Sequence, residues 1–163
     1  MKAITTKYGF LLFLVLSVFF ISMNALNLSH HLYLRVFNGV IHLAILTIAI
    51  YKYRQINKET LGNYISGVVV GLYTSLIGSV LFGGFFATYL YFDQSFKVLL
   101  SNYIPLSDAL IPIAAAMFIV MEGIAVGLVG SYLITRVINV WMVRKNINKR
   151  YAQSAEWKVP VKE

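Results

Sequence analysis

The chain has no cysteine, only six acidic residues in 163 positions, and a charged fraction of 12%. The missing cysteine excludes disulfides, thiolate metal sites and cysteine nucleophiles. A soluble domain carries about twice this fraction of charge. No P-loop, HExxH or nucleophile elbow occurs, and no apolar stretch contains a pair of acids. The two halves do not repeat one another, which speaks against an inverted-repeat transporter within one chain.

What is abundant is hydrophobic sequence, 59% of the residues. It falls into four runs, at about 8–28, 32–51, 64–92 and 110–141. Each supplies the roughly 20 residues that a helix needs to cross a hydrocarbon core of about 30 Å. The expected fold is therefore all-α: an integral membrane four-helix bundle in a single transmembrane domain, 1–163, with a basic tail at 142–163. Ser22-Met23-Asn24-Ala25 is a poor cleavage site, so the first run reads as a span and not a signal peptide.

Charge predicts orientation. Lys2 and Lys7 precede the first run, Lys52, Arg54 and Lys58 fill the second connection, and Arg144, Lys145, Lys149 and Arg150 follow the fourth run. The positive-inside rule then places both termini in the cytoplasm. The net charge of +8 has no basic domain to host nucleic acid. Its expected partner is the bilayer itself, through anionic headgroups at the cytoplasmic face. Between the last two runs, Phe96, Leu99, Leu100, Tyr103 and Ile104 recur at helical spacing before Pro105. This predicts a short amphipathic helix lying in the outer headgroup region.

Glu122 is the most costly residue. It lies near the middle of the fourth run, where insertion of an acid costs at least about 2.5 kcal/mol. It must face the bundle, a water pocket or another subunit, or be held neutral. Two roles are open: a proton- or cation-binding carboxylate in a transport path, or a polar clamp between helices. The lack of a second intramembrane acid favours the clamp. His42, mid-way along the second run, is its natural hydrogen-bond partner, because both runs travel from outside to inside and the two residues fall at similar depth. Otherwise His42 bonds a backbone carbonyl or Asn38, one turn earlier. Arg35 and Arg136 sit near span ends and are expected to snorkel. His30 and His31, adjacent in the first outer loop with no third ligand nearby, read as solvated; no metal or cofactor is expected.

Small residues form the second pattern. Gly67, Gly71, Ser75, Gly78, Ser79, Gly83 and Gly84 recur along the third run, and Ala116, Gly123, Gly127, Gly130 and Ser131 along the fourth. Steps of three and four keep each set on one stripe, and both Gly67-x-x-x-Gly71 and Gly123-x-x-x-Gly127 fit the small-xxx-small rule. Close packing of these two spans, within or between subunits, is the expected use.

Ile50-Tyr51-Lys52-Tyr53-Arg54, Tyr64-Ile65-Ser66-Gly67, Tyr91-Phe92-Asp93 and Glu122 in a final Gly-rich span together resemble domain of unknown function 4199, a family of small four-span bacterial proteins. The resemblance implies a bacterial inner-membrane location and a four-helix fold, and no catalytic residues. The expected function is a non-enzymatic membrane module that packs against itself or a partner membrane protein through spans three and four. The alternative is a small oligomeric transporter or channel component using Glu122.

Overall fold

The computed structural model describes residues 1–26, 36–57, 63–101, 107 and 109–156. These form five helices: α1 (Lys2–Ala25), α2 (Val36–Ile56), α3 (Tyr64–Phe92), α4 (Gln94–Ser101) and α5 (Ile111–Glu156). Four of them, α1, α2, α3 and the Ile111–Lys145 part of α5, are long and apolar enough to cross a membrane. The chain is a membrane-spanning, all-α four-helix bundle.

Helix bounds and apolar runs differ wherever a helix outlasts its hydrophobic stretch. The first helix starts at Lys2, with the Thr5 hydroxyl donating to the Lys2 carbonyl at 2.9 Å. The second ends at Ile56, beyond Lys52 and Arg54. The largest departure is α5, which continues through the expected tail to Glu156. Hydropathy ends near Trp141, but Arg, Lys, Gln, Ala and Glu are good helix formers in water. Lys145 folds back one turn, its ammonium 4.9 Å from the centre of the Trp141 ring.

The start of α3 coincides with its cap. Asn63 Oδ1 accepts from the Ile65 amide at 3.1 Å, satisfying one of the free N–H groups of the first turn. At its far end Asp93 terminates α3 and leads directly into α4. Leu100 of α4 packs on a cluster formed by Phe86, Leu90 and Ala115. The side chains of Phe96 and Leu99, and residues Tyr103 and Ile104, lie outside the described residues, as do His30, His31, Arg35, Lys58 and 157–163.

Helix α3 is the axis of the bundle, with 44% of its apolar window buried against 22% for α1 and 22% for α5. On one side it meets α1. A β-carbon on Gly78 would lie 2.6 Å from Leu12 Cδ2, and one on Gly9 would lie 2.8 Å from Ile77 Cβ. Gly78 therefore serves the α1 contact and does not belong to the stripe facing α5, as its spacing had suggested. Farther along, Phe20 of α1 sets its ring edge-on to Phe86 (5.2 Å) and Tyr89 (5.0 Å). Tyr89 closes this end, accepting from Asn24 Nδ2 at 2.8 Å and donating to Asp93 Oδ2 at 2.5 Å.

Candidate functional site

The other side of α3 meets α5 through residues with almost no side chain. Gly67 faces Thr135, Gly71 faces Ser131, Ser75 faces Gly127 and Ser79 faces Gly123. Each step of four residues up α3 is matched by a step of four down α5, so the two helices run antiparallel in one register. Every rung pairs a glycine with a hydroxyl residue. A β-carbon on Gly71 would stand 2.6 Å from Ser131 Cβ, and one on Gly127 or Gly123 would stand 2.5 Å from Ser75 or Ser79 Cβ. Real carbons do not approach so closely, so glycine is what allows the backbones to meet here. At the far end, Gly83 abuts the Ala116 carbonyl, 3.1 Å from a built β-carbon. Besides Gly78, two more glycines of the runs do other things. Gly130 receives Leu43 of α2, and Gly84 faces open space.

A third helix fastens this contact. His42 of α2 is buried, and its Nε2 lies 2.5 Å from Ser75 Oγ. Ser75 Oγ in turn donates to the Gly123 carbonyl at 2.6 Å. A serine has one hydroxyl hydrogen. With that hydrogen on Gly123, the contact with His42 requires the imidazole Nε2 to be the donor. A single hydrogen-bonded thread thus runs α2 to α3 to α5. His42 does not pair with Glu122, the partner its depth suggested, nor with Asn38, whose Oδ1 is buried without a hydrogen-bond partner.

Serine beside histidine is also the pairing of a nucleophile with its base. The geometry here runs the other way. The imidazole gives a hydrogen to the serine and does not take one, Ser75 is fully buried, and its β-carbon is pressed against Gly127. The arrangement binds three helices together. Among the described residues no group of three or more His, Asp or Glu side chains could hold a metal ion.

Glu122 occupies a different environment. It is exposed on the outer surface of α5, one residue and about 100° around the helix from buried Gly123. Phe118 and Val129, both 60% exposed, flank it on the same face. Continuing the register of the stripe sets Glu122 opposite Val80, about 3 Å from the midpoint of α3 at Gly78. Its carboxyl is therefore carried on a surface that would meet lipid, at mid-span. The expected clamp within the bundle is not formed by this residue.

No family model matches the chain, and no curated protein and no solved structure is significantly similar to it. What stands of the resemblance to domain of unknown function 4199 is its coarse content, a small, multi-span, helical membrane protein.

One functional-looking residue escapes sequence reasoning altogether. Arg54 counts among the connection charges, yet it is fully buried at the start of α3. Its Nη2 donates to the Asn63 carbonyl at 2.6 Å and lies 3.0 Å from where a Gly67 β-carbon would be. Thr135 Oγ1 and both amide atoms of Asn139 are buried nearby along α5 without hydrogen-bond partners. The available signal was Gly67 itself. A glycine in the first turn of an apolar helix is costly unless something large must fit beside it.

Proposed function

We propose that this chain is a non-enzymatic module of a bacterial inner membrane that works by packing against other membrane helices, with its outer α5 surface as the working face. The observation that carries this reading is the closed stripe between α3 and α5. Its small residues are consumed within one protomer, making a stiff pair whose remaining large surface is the far side of α5. The positive residues at one end of the bundle support cytoplasmic termini in contact with anionic headgroups. The position of α4, between α3 and α5 at the opposite end, supports an outer interfacial segment. The test replaces Leu128 and Leu133, exposed on that face, with Ala and follows assembly in membranes. Loss of the assemblies with the folded bundle retained is expected; unchanged assembly would count decisively against the reading.

A second reading has one specific observation in its favour: a mid-span carboxyl on the protein surface. A transport path using Glu122 would have to run between copies, not through the protomer. Flux across liposomes compares the native chain with Glu122→Gln, and equal flux would remove Glu122 from any such path.

A further inference from the structure

Glu122 stands on the outer face of α5 between Phe118, Ala125 and Val129, all exposed, at the centre of the span. Lipid tails offer a carboxyl neither donor nor acceptor. Something must meet it at that depth. Among the described residues nothing does: His42 is committed to Ser75, and Ser75, Ser79 and Ser131 are enclosed in the stripe.

We infer that the Glu122 face of α5 is the contact surface for a second copy of this chain, in a parallel two-fold dimer closed by the two Glu122 carboxyls. The inference rests on the reading of the chain as an assembling module and names its partner. Three features converge on a second copy. Two chains inserted in the same direction are related by a two-fold axis along the membrane normal, and such an axis sets each residue near its own equivalent. The polar side chain that such an axis brings to Glu122's depth on the matching α5 face is therefore the partner copy's own Glu122. Second, a carboxylic acid is its own complement. A protonated carboxylic acid carries one donor and one acceptor, so two of them can exchange reciprocal hydrogen bonds. Third, Ala125 lies one turn away on the same face and is the smallest side chain there, so the two α5 backbones can approach beside the acid. A partner offering a cation would also satisfy Glu122. This chain presents no exposed lysine or arginine at that depth among its described residues.

The test uses the absence of cysteine. Ala125→Cys is introduced into the full chain in lipid nanodiscs, in liposomes and in native membranes, and oxidised. Val80→Cys, at the same depth on the exposed face of α3, serves as the control. A disulfide-linked dimer is expected for Ala125→Cys and not for Val80→Cys. Adding Glu122→Leu should lower the dimer fraction roughly tenfold, the effect of one or two interhelical hydrogen bonds in lipid, while Glu122→Gln, which keeps a donor and an acceptor, should retain it. Helicity and thermal unfolding of each variant establish that the protomer is intact. Cross-linking no greater than in the Val80→Cys control overturns the inference. So does a dimer indifferent to Glu122→Leu, or a Glu122-dependent link only to a different protein in native membranes. With a folded protomer, that last result leaves the packing reading in place, whereas failure of the Leu128 and Leu133 test removes it separately.

Discussion

The two faces of α5 meet within a single turn, and they follow opposite rules. The inward face is built from Gly123, Gly127, Ser131 and Thr135, none of which is strongly hydrophobic. The outward face carries Phe118, Met121, Leu128 and Leu133, all at least half exposed. In water this arrangement would be inside out. In a membrane, lipid tails are as apolar as leucine, so hydrophobicity cannot decide which side turns inward. Smallness decides it, because only small residues let two backbones gain close dispersion contact along their length. The same comparison isolates Glu122 as the residue that obeys neither rule.

The largest expected effect comes from filling the inward face. Gly127→Leu places a branched side chain where even a β-carbon is 2.5 Å from Ser75 Cβ. The cost should exceed the roughly 1–3 kcal/mol typical of overpacking. Unfolding in micelles, followed by circular dichroism, should show a loss of cooperative structure. A mutant as stable as the native chain would refute the stripe. Next is His42→Ala, which cuts the thread from α2. Interhelical hydrogen bonds in membranes average about 0.6 and reach about 1.7 kcal/mol, so a loss near 1 kcal/mol is expected in the same assay. Gly84→Ala sharpens the comparison from the other direction. A side chain there meets nothing within 4 Å, and alanine is the better helix former, so a gain of up to about 1 kcal/mol is expected. Destabilisation would show that Gly84 is covered by something. Smallest of all is Glu122→Gln, whose effect on protomer unfolding should stay within about 0.5 kcal/mol, as for other exposed positions. A larger effect would mean that the carboxyl supports the fold after all.

These contrasts show which kinds of information lie in the sequence. The extent of α3 was legible because its apolar run, 64–92, begins and ends where the helix does. The end of α5 was not, since a hydropathy pattern reports where the membrane ends and not where the helix does. The small residues were visible as a set, but not how they divide. Gly78 turns to α1, Gly130 to α2 and Gly84 to open space, although Gly78 and Gly130 each stand three residues from a member of the stripe. His42 and Glu122 expose the same limit. Counting residues gives depth, and depth was a fair guide: His42 does lie beside Gly123, the residue after Glu122, with its Cε1 3.7 Å from a built Gly123 β-carbon. Direction around the helix is set by packing partners, and those are not written in any single span. Arg54 was hidden for a related reason, since a basic residue at the end of an apolar run reads as a surface charge until a glycine opposite it makes room.

The thread through His42 has one more consequence. A pattern that repeats every four residues can be read at more than one offset. Slide α5 by one turn and Gly67 meets Ser131, Gly71 meets Gly127 and Ser75 meets Gly123, still small against small. Only Ser79 against Ile119 objects. The interface that holds α3 and α5 together is thus a poor ruler of where they should stop. His42 is the mark on that ruler. Reaching in from α2, it grips Ser75 of α3 while its neighbour Leu43 seats against Gly130 of α5, so one helix holds both others at a single setting. Spin labels at exposed Leu76 and Leu128 would read a slip of about 5.4 Å per turn when that mark is removed. The second helix, which already buries Ile45, Leu46, Ala49 and Ile50 in the core, would then also be what tells the other two their place.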